Sequence, residues 1–371
     1  MKRATTCLLA LAVGGSIAVA GCGATGSLRA DNAHAMSSFK AATSLSVTLG
    51  LSDPDGKLAK AVQSGDGSTT AAQAAVLIGG TISFTVSANG GRELFAKGAA
   101  DQPLDQQVKQ SNFDLTVNGL GGKLVEIRLV DGILYAASDI AAVKKAADLG
   151  GPGAGARVDE FLNSVPPQLK QGADDLRAGK WLKVPIATYV EQVHKPAKAA
   201  GGGAPDPAKT RGYAKLGKDL QAAITPNIGL TILGATGDTR NVSIDIKVKQ
   251  ALTAVLGVLD TDAATFGLPP GLLPKGDALK DVSDKTLSAT LTITRGHYTK
   301  IAVPFAGLAA LDAHLSSAVP PLGKSAIVLQ LDDSAGPVSA PTNVSSFDIA
   351  SLLDQFIQRF SGVGATASLT S

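Results

Sequence analysis

The chain has 371 residues, with 34 Lys and Arg against 31 Asp and Glu and a formal net charge of +3. That near balance is no electrostatic footprint for nucleic acid. Aromatic residues make up 4% with a single tryptophan, Trp181, which leaves little for recognition of sugars or bases by stacking.

The first element is a leader. Lys2 and Arg3 precede an apolar run over 7–20, CLLALAVGGSIAVA, and Val19-Ala20-Gly21-Cys22 follows. The run is shorter than the ~20 residues of a membrane span and ends in small residues, so it reads as a secretory signal peptide over 1–21. Its small-small-Cys ending resembles the bacterial lipobox. That resemblance implies cleavage before Cys22, acylation of its thiol, and a chain anchored by lipid (a palmitate-type chain) to the extracytoplasmic face of the cell membrane. Cys7 leaves with the leader and Cys22 carries lipid, so no disulfide forms in the mature chain, whose net charge falls to +1.

Residues 22–37 show no sustained periodicity and read as a flexible tether. Leu45, Val47, Leu49 and Leu51 alternate with polar or small residues in a first strand, ended by Asp53-Pro54-Asp55-Gly56. Residues 57–78 are Ala-rich and partly helical in pattern. TISFTVSANGG puts Ile82, Phe84 and Val86 on one strand face, with ELFAKG as a possible short partner. The stretch 109–137, KQSNFDLTVNGLGGKLVEIRLVDGILYAA, then reads as three antiparallel strands. Phe113, Leu115 and Val117 face one way on the first, and Val125, Ile127 and Leu129 on the second. Ile133 and Tyr135 close the third. Asn118-Gly119, Gly121-Gly122 and Asp131-Gly132 supply turns that accept positive φ. Period-two alternation predicts one greasy face and one charged, wet face.

The period changes after Ser138. SDIAAVKKAADLGG reads as a helix with a Ser N-cap, VDEFLNSVPPQLK as a second helix ended by Pro166-Pro167, WLKVP as extended, and PIATYVEQVHK as a third helix. Residues 196–208, PAKAAGGGAPDPA, are the strongest linker signal, and KTRGYAKLGKDLQAAI resumes helix. Strands return with Leu230 and Ile232. Val242, Ile244, Ile246 and Val248 alternate strictly, followed by the helix QALTAVLGVLD. LSATLTITRGHYTKIAVPF is a hairpin carrying Leu291 and Ile293 on one arm and Ile301 and Val303 on the other, and SAIVLQLDDS is the last long strand. An amphipathic helix over 346–360, capped by Ser345 or Ser346, closes a C-terminal segment 347–371.

These elements give an α+β fold: nine or ten strands in an antiparallel sheet that curls strongly, with helices interrupting it. A single domain over 38–346 is preferred to two domains split near residue 200, because the helices flanking the linker read as one lid layer.

Catalytic and metal chemistry lacks positive support. His34, His194, His297 and His314 form no ligand-spaced pair. Gly323-Lys324-Ser325 matches the end of a phosphate loop, but Ala318 stands where its first glycine belongs. No G-x-S-x-G elbow occurs. Asp260 with Asp262, and Asp332-Asp333, read as turn residues. The expectation is a non-enzyme without cofactor or metal.

The apolar strand faces are either a plain packed core or the wall of a cavity, since small residues such as Ala141, Ala142, Ala146, Ala147, Ala222 and Ala223 thin the helical layer. The order of pieces resembles the mycobacterial LppX/LprG lipoproteins, which share the fold of the LolA carriers. The lipobox, the early strands, LVEIRLVDGILYA with its VDG-x-LY run, the helical middle, GDTRNVSIDIKV, LTITRGHYTKIAV and LQLDDSAGPVSAPTNV follow one another over 38–346. The chain departs from that pattern in extra helices at 139–220 and in its terminal helix. The resemblance implies a half-barrel sheet whose concave face is covered by helices and holds the acyl chains of a lipid or lipoglycan for carriage across the envelope. The expected lining is Phe84, Val86, Phe113, Leu115, Val117, Val125, Ile127, Leu129, Ile133, Tyr135, Ile244, Ile246, Leu291 and Ile293. A sensor or scaffold that binds a protein partner and holds no ligand is the alternative.

Overall fold

A computed structural model describes residues 26–66, 69–95, 110–119, 122–184, 207–262, 279, 282–311 and 322–347. The leader, Cys22, the helix expected from Pro185, the linker at 196–208 except residues 207 and 208, which are helical, and the terminal helix at 346–360, except residues 346 and 347, lie outside them. The fold is α+β, with twelve strands in a mostly antiparallel sheet and, among the described residues, nine helices. The chain divides into two compact units that are each discontinuous: Met1–Thr81, Gly91–Asp101 and Gly203–Gly336 in the first, Ile82–Gly90, Gln102–Gly202 and Pro337–Ser371 in the second.

The first unit contains α1 (Gly26–Ala41), β1 (Ser44–Ser52), α2 (Lys57–Asp66) and α3 (Ala71–Gly79). Its later part contains α7 (Pro207–Ile224), β7 (Ile228–Thr236), β8 (Thr239–Lys247), α8 (Val248–Asp262), β9 (Thr286–Thr294), β10 (His297–Pro304), α9 (Phe305–Ala309) and β11 (Ala326–Asp332). Strand order is β1-β11-β10-β9-β8-β7, antiparallel throughout. Register explains the core. Val242 pairs with Leu291, Ile244 with Ala289 and Ile246 with Leu287, so these six share one face. Directly opposed residues of an antiparallel pair project to the same side. That face is closed by Ala35, Met36 and Phe39 of α1 and by Val248, Ala251 and Leu252 of α8. Leu291 is 1% exposed and Val242 fully buried.

Helix α1 corrects the reading of 22–37 as a tether. Weak periodicity concealed it, because only a few of its residues face the core. Ala35 is completely buried, and buried Tyr298 donates from its hydroxyl to Asn32 Oδ1 at 2.6 Å. Phe39 stacks on Phe95 with ring centroids 4.9 Å apart. ELFAKG forms no strand in its described residues; Leu94 N donates once, to Ala42 O.

The second unit contains β2 (Thr81–Ala88), β3 (Ser111–Gly119), β4 (Gly122–Val130), β5 (Ile133–Ser138), α4 (Ile140–Gly150), α5 (Ala154–Ser164), α6 (Pro167–Arg177), β6 (Trp181–Val184) and β12 (Val344–Ser346). Its strand order is β2-β3-β4-β5-β6-β12, and the β6–β12 pair is parallel. Asp139, not Ser138, caps α4 by accepting from Ala142 N at 3.0 Å, while Ser138 ends β5. Ser345 and Ser346, read as helix caps, instead pair with Leu182 and Lys183. Pro166-Pro167 ends one helix and starts the next, since proline at the first helical position loses no hydrogen bond.

Candidate functional site

The three-stranded meander β3-β4-β5 sets the geometry of the second unit. Phe113 pairs with Leu129, Leu115 with Ile127 and Val117 with Val125, so all six share one face. Phe84 of β2 joins them, its ring 6.1 Å from that of Phe113. Asp114 pairs with Arg128 and Thr116 with Glu126 on the opposite face.

The β4–β5 turn corrects the placement of two residues. Asp131 (φ 52°) and Gly132 (φ 77°) form a two-residue loop with both residues left-handed, the geometry that keeps hairpin strands in twist. That loop pairs Val130 with Ile133 and Arg128 with Tyr135. Ile133 and Tyr135 therefore lie on the charged face, where Tyr135, Val130 and Val338 form a small cluster flanked by Trp181. The residues that do extend the apolar face are Leu134 and Ala136, opposite Leu129 and Ile127, and then Val184 and Leu182. Counting register through the Asp131-Gly132 turn would have found Leu134 and Ala136. Continuing the odd-numbered alternation straight through the turn placed Tyr135 there instead.

Ile244, Ile246, Leu291 and Ile293 lie elsewhere. All four are packed in the first unit's core among side chains of α1 and α8, with no free face. The expected lining thus splits between a solid core in one unit and a partly open sheet face in the other.

The second unit reverses the expected wetness of its two faces. The charged face is covered by the segment after β11. Ser87 Oγ accepts from Val338 N at 2.9 Å, Asn112 Nδ2 donates to Val338 O at 3.1 Å, and Arg128 Nη1 donates to Ser339 O at 3.2 Å. Beneath it Glu126 is 3% exposed, holding Lys123 and Arg128 in ion pairs. Burial works against its ionisation, but the hydrogen bonds from Lys123 and Arg128 outweigh it and hold the carboxyl below the usual range. Asp114, on the same guanidinium at 3.0 Å, goes the other way: burial and the neighbouring Glu126 raise it. The Arg128 guanidinium also stands 4.8 Å over the Trp181 ring.

The apolar face is the less covered of the two. Phe84 is 43% and Val125 37% exposed; Val86, Phe113, Leu115, Val117 and Ile127 are half-buried; only Leu129 is buried among the expected residues here. Helix α6 reaches the edge of this face, where Ser345, in register with Leu182, donates to Asp175 at 2.6 Å. A separate open cleft of about 690 Å³ lies among α4, α5 and α6, lined by Ile140, Lys144, Lys145, Asp148, Asp159 and Arg177 among others, and takes in none of the expected residues. Its cations are partly used: Lys144 pairs with Asp159 at 2.5 Å and Arg177 with Asp174 at 3.0 Å.

Among titratable groups, His297 Nδ1 lies 2.8 Å from the buried Asp333 carboxylate. Among the described residues no three His, Cys, Asp or Glu side chains are grouped to hold a metal. No protein-family model matches the chain, and no curated protein matches it.

Proposed function

We propose that the chain is a membrane-anchored lipoprotein that binds the acyl part of a lipid or lipoglycan for carriage across the cell envelope. The observation that carries this reading is the reversal in the second unit: a carboxylate at 3% exposure on one face, and Phe84 and Val125 around 40% on the other. Soluble proteins bury apolar surface before charge, and a contiguous exposed apolar face marks a binding surface. The lipobox at Val19–Cys22 supports attachment through Cys22. A half-barrel curvature, with helices over the apolar side, would give the acyl chain an enclosed path along Phe84, Phe113, Leu115, Val117, Val125, Ile127 and Leu134. Each methylene buried there contributes ~0.8 kcal/mol, so one long chain is sufficient for useful affinity without any specific polar contact. The reading is of a binding protein rather than an enzyme: among the described residues the middle of the face is apolar, and its hydroxyl at Ser345 is engaged with Asp175 at the edge.

The test is a titration with a fluorescent long-chain fatty acid. Val125→Glu and Ile127→Glu place charge on the proposed acyl path and should each weaken binding at least tenfold. Leu233→Glu, in the other unit, should leave it unchanged. Equal binding by all variants would sink the reading. Binding of a protein instead of a lipid by this face would favour the scaffold alternative.

A further inference from the structure

Helix α1 changes how far the chain can stand from its anchor. With residues 22–37 as tether, fifteen steps at ~3.5 Å would allow ~50 Å of freedom. The helix instead begins at Gly26, four steps or ~14 Å of fully extended chain from Cys22. From Gly26 to Asp31 the helix advances about 7 Å. Asp31 is fixed on the fold: its carboxylate lies 3.4 Å from Arg240 Nε at the start of β8. One residue later Asn32 takes the Tyr298 hydroxyl, and His34 crowds Gly296 in the β9–β10 turn. A fully extended link therefore puts Cys22 at most about 22 Å from the Asp31 Cα, whose side chain meets the β7–β8 end; the β7–β8 and β9–β10 turns are neighbours through the Arg295 N to Asp238 O bond at 3.0 Å.

The surface at that end is suited to an interface. Strand β7, IGLTILGAT, carries no charge, and among the described residues only β8 pairs with it. Edge strands in water are usually guarded by charge or proline. Here Leu233 is 59% exposed, with Ile232 beside it also exposed. Two of the cations at this end are paired, Arg240 with Asp31 and Arg295 with Asp238.

We propose that this end of the first unit lies on the membrane that holds the Cys22 acyl chains, with Ile232 and Leu233 in the headgroup boundary. The proposal rests on acylation of Cys22. The short link keeps the contact at high effective concentration, so a weak apolar contact is enough. Because Arg240 and Arg295 are already paired with carboxylates, the contact is apolar and is tested on neutral lipid.

The test uses full-length acylated protein in phosphatidylcholine vesicles. No mature cysteine other than the blocked Cys22 competes for label, so Leu233→Cys and Lys324→Cys, the latter at the opposite end of the strands, are each labelled with a fluorophore. Intact mass first establishes acylation, and flotation establishes anchoring; failure there is failure of the lipoprotein reading. In anchored protein, quenching by doxyl lipids of the label at 233 but not at 324 is the expected result. Fifteen Gly/Ser residues inserted after Gly23 should lower it. Equal quenching at both positions in anchored protein overturns the proposal. So does thiol cross-linking of 233 between two copies with the label shielded from doxyl lipid, which would make this edge a dimer contact.

Discussion

Asn32 and Tyr298 show how one buried polar pair secures a helix that the sequence hides. The Tyr298 hydroxyl is 2.6 Å from Asn32 Oδ1, and burial raises its proton affinity so that it stays a donor throughout the physiological range. Tyr298→Phe leaves the buried Asn32 oxygen without this donor and should lower unfolding free energy by about 1–3 kcal/mol, read by urea denaturation. The Glu126–Arg128–Asp114 group carries a pH dependence. Glu126 has a lowered folded-state value, so its contribution is present above the unfolded carboxylate value and is lost as pH falls through the folded one. Asp114 is raised, so it costs stability at neutral pH and the cost is relieved as it protonates. Glu126→Gln should therefore destabilise at pH 7 and flatten the acid loss of stability, whereas Asp114→Asn should be neutral or stabilising at pH 7. Denaturation midpoints from pH 7 down to pH 3 distinguish the two; equal behaviour would contradict the assignment. Neither role was visible in the sequence, where both residues read as solvated, because the segment covering them arrives from about 200 residues downstream.

At the scale of elements, strand positions were legible and their faces mostly were. Strict alternation in Val242–Ile246 and Phe113–Val117 reported real registers, since period two allows one answer once one face is buried, whereas Val248, expected to continue the alternation, begins α8. What alternation could not supply was phase across a turn. The two-residue Asp131-Gly132 loop moved Ile133 and Tyr135 to the other face and left Leu134 and Ala136 in their place. Alternation also did not separate a filled face from an open one, so Leu291 and Leu115 looked alike until α1 and α8 were seen to close over the first. Helix α1 makes the sharpest prediction here. A tether can be deleted without harm, but removing residues 26–37 strips Ala35 and Met36 from the core and should abolish the cooperative thermal transition of the first unit. Ala35→Leu, overfilling a site with no exposure, should cost about 1–3 kcal/mol. An unchanged melting curve for either variant would contradict the packing described.

For the whole molecule, the two units differ in how their sheet faces are filled. The first carries a core filled by its own side chains, together with the helix that follows the proposed anchor. The second presents an apolar sheet face less covered than its charged one. Whether this face holds acyl chains is decided by native mass spectrometry of protein purified from its envelope without detergent. The expected result is a bound mass of lipid character in the wild-type protein that is lost in Val125→Glu and retained in Leu233→Glu. Wild-type protein at its bare acylated mass, with no lipid released by organic extraction, would contradict it.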